Sequence, residues 1–146
     1  MSLHQRKILL GVTGGIAAYK APEIVRQLGV LGADVRVIMT RGADEFVAEK
    51  TLEVLSRHSI YNDLFNRDRE FSVLHVGLAE WAEAILVAPA TAHFLGRVAS
   101  GLADDLLTTV MLSATVPAFL SPTMEENMLA SGAVVANLQT LAERGF

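Results

Sequence analysis

Apolar and polar positions along this chain switch between two rhythms. "KILLGV" at residues 7–12 is an almost continuous apolar run and predicts a strand buried on both faces. Residues 16–31 carry Ile16, Ile24, Val25, Leu28 and Leu31 at helical spacing. Pro22 lies inside that run and predicts a kink or a restart, and Gly32 marks its end. "DVRVIMT" alternates between turn residues and predicts a second strand. Residues 43–57 read as a helix broken near Thr51. Residues 59–73 are polar and irregular, a loop with a short strand at "IYNDLF". "LHVGLAEWAE" is an amphipathic helix, and "AILVAPA" is another buried strand that Pro89 stops. Two helices follow at 92–100 and 104–114, then a buried strand at "PAFLSP" and short helices at 124–129 and 134–144.

Strand alternating with helix predicts one α/β domain: a parallel sheet with helices on both faces. Ligands of such sheets bind beyond the carboxyl ends of the strands, so chemistry is expected just after each strand. Composition sharpens this picture. The 146 residues are 51% hydrophobic and 19% charged, which predicts a sheet covered on both faces, a subunit interface, or both. A net charge of −4 counts against a nucleic-acid binder. Without cysteine, neither disulfides nor thiol chemistry is available within these residues. "MSLHQRK" is polar and unlike a secretory leader, so a cytoplasmic protein is expected. The uncharged run at 106–124 has the length of a membrane span, yet it holds six Ser/Thr and two prolines. A buried helix and a buried strand are expected there instead.

Four strand ends carry candidate chemistry. In "TGGIAA", Gly14 and Gly15 permit a sharp turn and close approach of a ligand to the backbone, and the helix that follows offers free N–H groups. The dinucleotide fingerprint is absent, because Thr13 stands where its second glycine belongs, and so is the P-loop, because Tyr19 precedes Lys20. A single phosphate remains compatible with the turn. "MTRGADEF" brings Thr40, Arg41 and Gly42. "VAPATAH" places the small residues Ala90, Thr91 and Ala92 at the rim, with room for a flat ring. "LSPTMEENML" brings Pro122, Thr123 and Met124 to the same rim. His75 opens an amphipathic helix, and no His/Asp/Glu group has metal-ligand spacing.

The ordered set "VTGGIAAYK", "LHVGLAEWAE", "APATA", "GLADDLLTT" and "PTMEENM" resembles the flavoprotein domain of the flavin-containing cysteine decarboxylases. Within that family it is most similar to the phosphopantothenoylcysteine decarboxylases, in particular the amino-terminal half of the bifunctional decarboxylase/synthetases of coenzyme A biosynthesis. The resemblance implies a Rossmann-like, flavodoxin-like three-layer α/β/α sandwich over residues 1–146. It implies FMN bound between subunits of a homotrimer, or of a dodecamer built from trimers, with no nucleic acid and no membrane as partners. Carried over by position, Gly14, Gly15 and Ile16 approach the flavin. Thr40, Arg41 and Gly42 form a second loop with Phe46 behind it. Thr91, Ala92, His93 and Phe94 form a third, and Thr123 touches the ring. The implied reaction is a lyase reaction: the flavin oxidises a carboxy-terminal cysteine, CO₂ leaves, and 4′-phosphopantetheine results from phosphopantothenoylcysteine. His75 matches the essential histidine that handles a proton or orients the thiolate.

Three departures keep alternatives open. Glu125 stands where the family places an asparagine that contacts the substrate carboxylate, and Leu129 replaces a tryptophan. A protonated Glu125, or Asn127 standing in for the asparagine, would relieve the resulting repulsion. His93 and Phe94 replace the usual Asn-Thr pair. The family's flap and reducing cysteine, and any synthetase domain, are expected beyond these residues. A relative acting on another cysteine-terminal substrate, or an inactive assembly or regulatory subunit, therefore competes with the decarboxylase reading.

Overall fold

The computed structural model describes residues 2–65 and 71–146. Residues 66–70, the middle of the irregular stretch, lie outside the described residues. Four parallel strands form one sheet: β1 (Lys7–Val12), β2 (Asp34–Met39), β3 (Ala84–Ala90) and β4 (Ala118–Pro122), in the order β2-β1-β3-β4. Helices α1 (Ala21–Val30) and α2 (Glu49–Ser56) cover one face. Helices α3 (Leu74–Trp81), α4 (Ala92–Ala99), α5 (Leu106–Ser113) and α7 (Gly132–Glu143) contribute to the core on the other, and the short α6 (Glu126–Leu129) precedes α7. The flavodoxin-like α/β expectation therefore holds.

The period-two geometry of β1 explains its unbroken apolar run. Leu9 packs into the α3–α5 core while Leu10 and Val12 pack into the α1–α2 core. All three are fully buried, so both faces of the strand require apolar residues. Truncating one of these leucines to alanine would cost about 2–5 kcal/mol. Pro22 restarts the helix as the sequence suggests: a 3₁₀ turn at Ile16–Lys20 runs into α1, and the proline occupies the first turn of α1, where a missing N–H costs nothing. Tyr61 in "IYNDLF" forms a parallel bridge to Ile38, the rudiment of the expected short strand.

Three expectations are corrected. The break in the second helix falls between a 3₁₀ turn at Arg41–Glu45 and α2, at residues 46–48, rather than at Thr51. Pro89 does not end its strand: β3 runs to Ala90, and the pairing with β4 shifts between Val87 and Ala90. Strand β4 is not buried, because the order puts it at an edge, where Phe119 is 59% exposed. Among the described residues no helix is long and apolar enough to cross a membrane, and the uncharged run divides into α5 and β4.

Strand order also places the site. The chain leaves β1 toward β2 and leaves β3 toward β4. Adjacent loops diverge there, and a crevice opens at the carboxyl ends of the two central strands.

Candidate functional site

A cavity of about 820 Å³ occupies that crevice, within the roughly 300–1,000 Å³ usual for small-molecule sites. Its first wall comes from the loops after β1 and β2, with Thr13 to Ala17 facing Thr40, Arg41 and Gly42. A Cβ on Gly14 would lie 2.7 Å from the carbonyl carbon of Gly42 and 2.8 Å from its Cα. The Gly-Gly turn is thus used by the protein itself: bare backbone lets two rim loops touch. Gly14 lines the cavity as well, so the same bare turn also borders the space open to a ligand. Gly15 likewise directs its N–H to the carbonyl of Thr13 at 3.0 Å. Arg41 enters none of the ion pairs among the described residues, so its cation remains available to an anion.

Thr13 ties the first wall to the second. Its hydroxyl, in a 2% exposed residue, donates to the Pro89 carbonyl at 2.6 Å and accepts from the Thr91 amide at 3.1 Å. Thr91 then caps α4, its own hydroxyl accepting from the Phe94 amide at 3.3 Å.

The second wall carries charge. Arg97 Nε donates to Asp104 Oδ1 at 2.7 Å, its Nη2 also reaches Asp104, and its Nη1 donates to Asp105 Oδ2 at 2.8 Å. Asp105 is at the same time the N-cap of α5, in a capping box with Thr108. Burial opposes the Arg97 charge, but the hydrogen bonds to Asp104 and Asp105 outweigh it and raise its pKa. The hydrogen bond from Arg97 holds the Asp104 carboxyl below its usual range. At the far end, Glu125 caps α6: Oε2 accepts from the amides of Asn127 at 3.0 Å and Met128 at 3.2 Å, and Oε1 accepts from Asn127 Nδ2 at 2.8 Å.

Most of the residues singled out from the sequence converge here: Gly14, Gly15, Ile16, Thr40, Arg41, Gly42, Thr91, Ala92, His93, Phe94, Thr123 and Glu125 all line the cavity. Phe46, Asn127 and His75 do not. Phe46 closes the second 3₁₀ turn, and Asn127 braces Glu125. His75 sits half-buried in the first turn of α3, the helix that packs against α5. Met124, already placed at the rim by the sequence, lines the cavity too, as do Thr13, Ala17, Arg97, Asp105 and Met128, which were missed. The spacing of His93 to Arg97 and of Met124 to Met128, four residues each, was the signal for two of them.

Comparison with known proteins agrees with this fold. The family model described as Flavoprotein matches residues 1–146. The chain belongs to the flavoprotein family. This flavoprotein is 44% identical over 144 residues to the coenzyme A biosynthesis bifunctional protein CoaBC of Bacillus subtilis, a match covering 99% of this chain and 36% of that protein. It is 43% identical over 146 residues to the protein of the same name from Escherichia coli, covering 100% of this chain and 36% of the relative. The chain thus spans about a third of the length of these curated relatives. Among solved structures, the FMN-dependent cysteine decarboxylase SpaF superposes with a TM-score of 0.93 at 33% identity, covering 99% of this chain and 83% of that one. A PPC decarboxylase mutant complexed with pantothenoylaminoethenethiol superposes with a TM-score of 0.85 at 29% identity, covering 97% of this chain and 80% of that one.

Proposed function

We propose that residues 1–146 form an FMN-binding unit that decarboxylates phosphopantothenoylcysteine. The observation that carries this reading is the cavity at the strand ends, lined by twelve residues whose positions match the flavin- and substrate-contacting motifs of the cysteine decarboxylases. The fit to FMN rests on three features. The volume suits a mononucleotide, the small residue Ala92 and the bare turn leave a flat opening, and Arg41, in no ion pair among the described residues, supplies a cation for a phosphate. Thr40 and Arg41 would hold the phosphate end, and Ile16, Ala92, His93 and Thr123 would flank the ring.

Bound FMN supplies the two-electron oxidation that weakens the bond to the departing carboxylate. The chain's own residues orient and protect. Thr13 fixes the spacing between the first and third loops, and Phe94, 1% exposed, closes the floor against water. His75 handles a proton or orients the thiolate. Because His75 lies outside the cavity of its own chain, we assign it to the site of a neighbouring protomer in a homotrimer. Exposed Ile16 and Tyr19, 77% and 63% accessible at the rim, suit such an interface. A cytoplasmic location goes with this reading.

The experiment is direct. Purified protein should be yellow, hold one FMN per chain and release CO₂ from phosphopantothenoylcysteine. His75→Asn should lose at least about a hundredfold in turnover and keep the flavin band and the trimeric mass in light scattering. Colourless protein that takes up no added FMN would reject the reading. Glu125 in the cavity favours a second reading, a relative that serves another cysteine-terminal substrate or only assembly. Full FMN occupancy without CO₂ release would select it.

A further inference from the structure

The opposite end of the sheet carries a second concavity with a different chemistry. A groove of about 940 Å³ lies at the amino-terminal ends of β1 and β2, between the last turns of α1 and α2. Strand β1 runs from Lys7 in this groove to Val12 beside the first cavity, a span of about 17 Å. Val25, Ala33 and Val35 form an apolar floor, and the half-exposed Leu55 stands at its lip.

Charge around the groove is unevenly settled. The carboxylates beside its lining residues have partners: Glu23 holds Arg26 and Gln27, Glu53 holds Lys50, Glu83 holds Arg6, and Asp34 Oδ1 lies 2.6 Å from His58 Nε2. The carbonyls at the end of α1 are also taken, because Leu31 and Gly32 accept from the amides of Leu3 and Gln5. Lys7 and Arg57 line the groove and enter no ion pair among the described residues. Arg57 moreover has left-handed backbone, with φ 62°, at the C-terminal end of α2, where glycine is the common choice. A guanidinium is kept at the groove despite that strain.

We propose that this groove binds a phosphate monoester with an apolar body. Lys7 and Arg57 take the phosphate, a point charge and a fork facing one dianion. The floor around Val25 and Val35 takes the body, and the His58 ring, fixed by Asp34, adds a polar atom to the same wall. The groove and the first cavity share no lining residue, so this site stands apart from the flavin reading.

The test is calorimetric titration of the purified chain with 1-naphthyl phosphate at about pH 7.5, where the probe is mostly dianionic. Wild-type protein should bind one equivalent, at least tenfold more tightly than inorganic phosphate. Lys7→Met and Arg57→Gly should each weaken the naphthyl ester at least fivefold. Arg57→Gly also relieves the left-handed backbone, so it should keep or raise Tm, which separates loss of the site from loss of the fold. Arg41→Ala, at the other end of the sheet, should leave the affinity within about twofold. No saturable binding below about 10 mM, equal affinity for the two probes, or binding that Arg41→Ala abolishes and the groove variants retain overturns the proposal.

Discussion

The two walls of the cavity reach the same rim by opposite means. The wall from β1 and β2 is made by removing side chains: Gly14 and Gly42 meet backbone to backbone, and only Arg41 brings charge. The wall from β3 and β4 is made by adding them: Arg97 is clamped between two aspartates, and Glu125 folds onto its own helix. The glycine wall depends on steric fit and leaves no room for an added atom at Gly14. The charged wall depends on neutralisation, and each member is costly only when its partner is removed. The difference predicts how each side fails.

The largest effect should come from Gly14→Val. Its Cβ would stand 2.7 Å from Gly42 backbone that cannot rotate away. Overpacking of this kind costs about 1–3 kcal/mol, and parting the two loops should weaken FMN binding by at least tenfold in a flavin titration. Stability loss with unchanged FMN affinity would show that the loop contact does not shape the site.

Arg97→Met should come next. It keeps the volume and leaves Asp105, 30% exposed at its side chain, without its cation. Because the site is partly wet and Asp105 still caps α5, the cost should be about 1–3 kcal/mol rather than the larger penalty of a fully buried pair. A chain of this length would lose about 2–4 °C of Tm for each kcal/mol in a thermal scan.

Asp104→Asn should have the smallest effect, visible in its pH dependence. Arg97 depresses the Asp104 pKa in the folded state, so this carboxylate stabilises the fold above its unfolded pKa, about 3.9. That contribution disappears as pH falls through the depressed folded value. The Tm difference between wild type and Asp104→Asn should therefore be constant from pH 7 down to about pH 5 and vanish in more acidic solution. A difference that grew on acidification would mean that Asp104 is not held as an anion by Arg97.

Much of the fold was legible because its signals are local. The apolar run of β1, the alternation of β2 and the Pro22 restart each report on a few neighbouring residues, and the structure follows them. The strand-end rule then brought twelve of the fifteen candidate residues to one cavity from four loops, leaving out Phe46, His75 and Asn127. What failed was whatever depended on a remote partner. Strand β4 reads as buried from its composition, yet sheet order leaves it at the edge. Arg97 drew no attention in the sequence, because its partners Asp104 and Asp105 meet it only from the next loop.

By itself, the sequence determined the alternation of strand and helix, the residues at each strand end and the membership in a flavin-binding family, because periodicity and motif are written in adjacent positions. Tertiary structure alone decided that Gly14 serves Gly42, that Thr13 bridges to Pro89 across 76 positions, and that Glu125 spends its carboxylate on α6. Those contacts follow from which strands lie side by side, and strand order is a property of the packed sheet rather than of any segment within it.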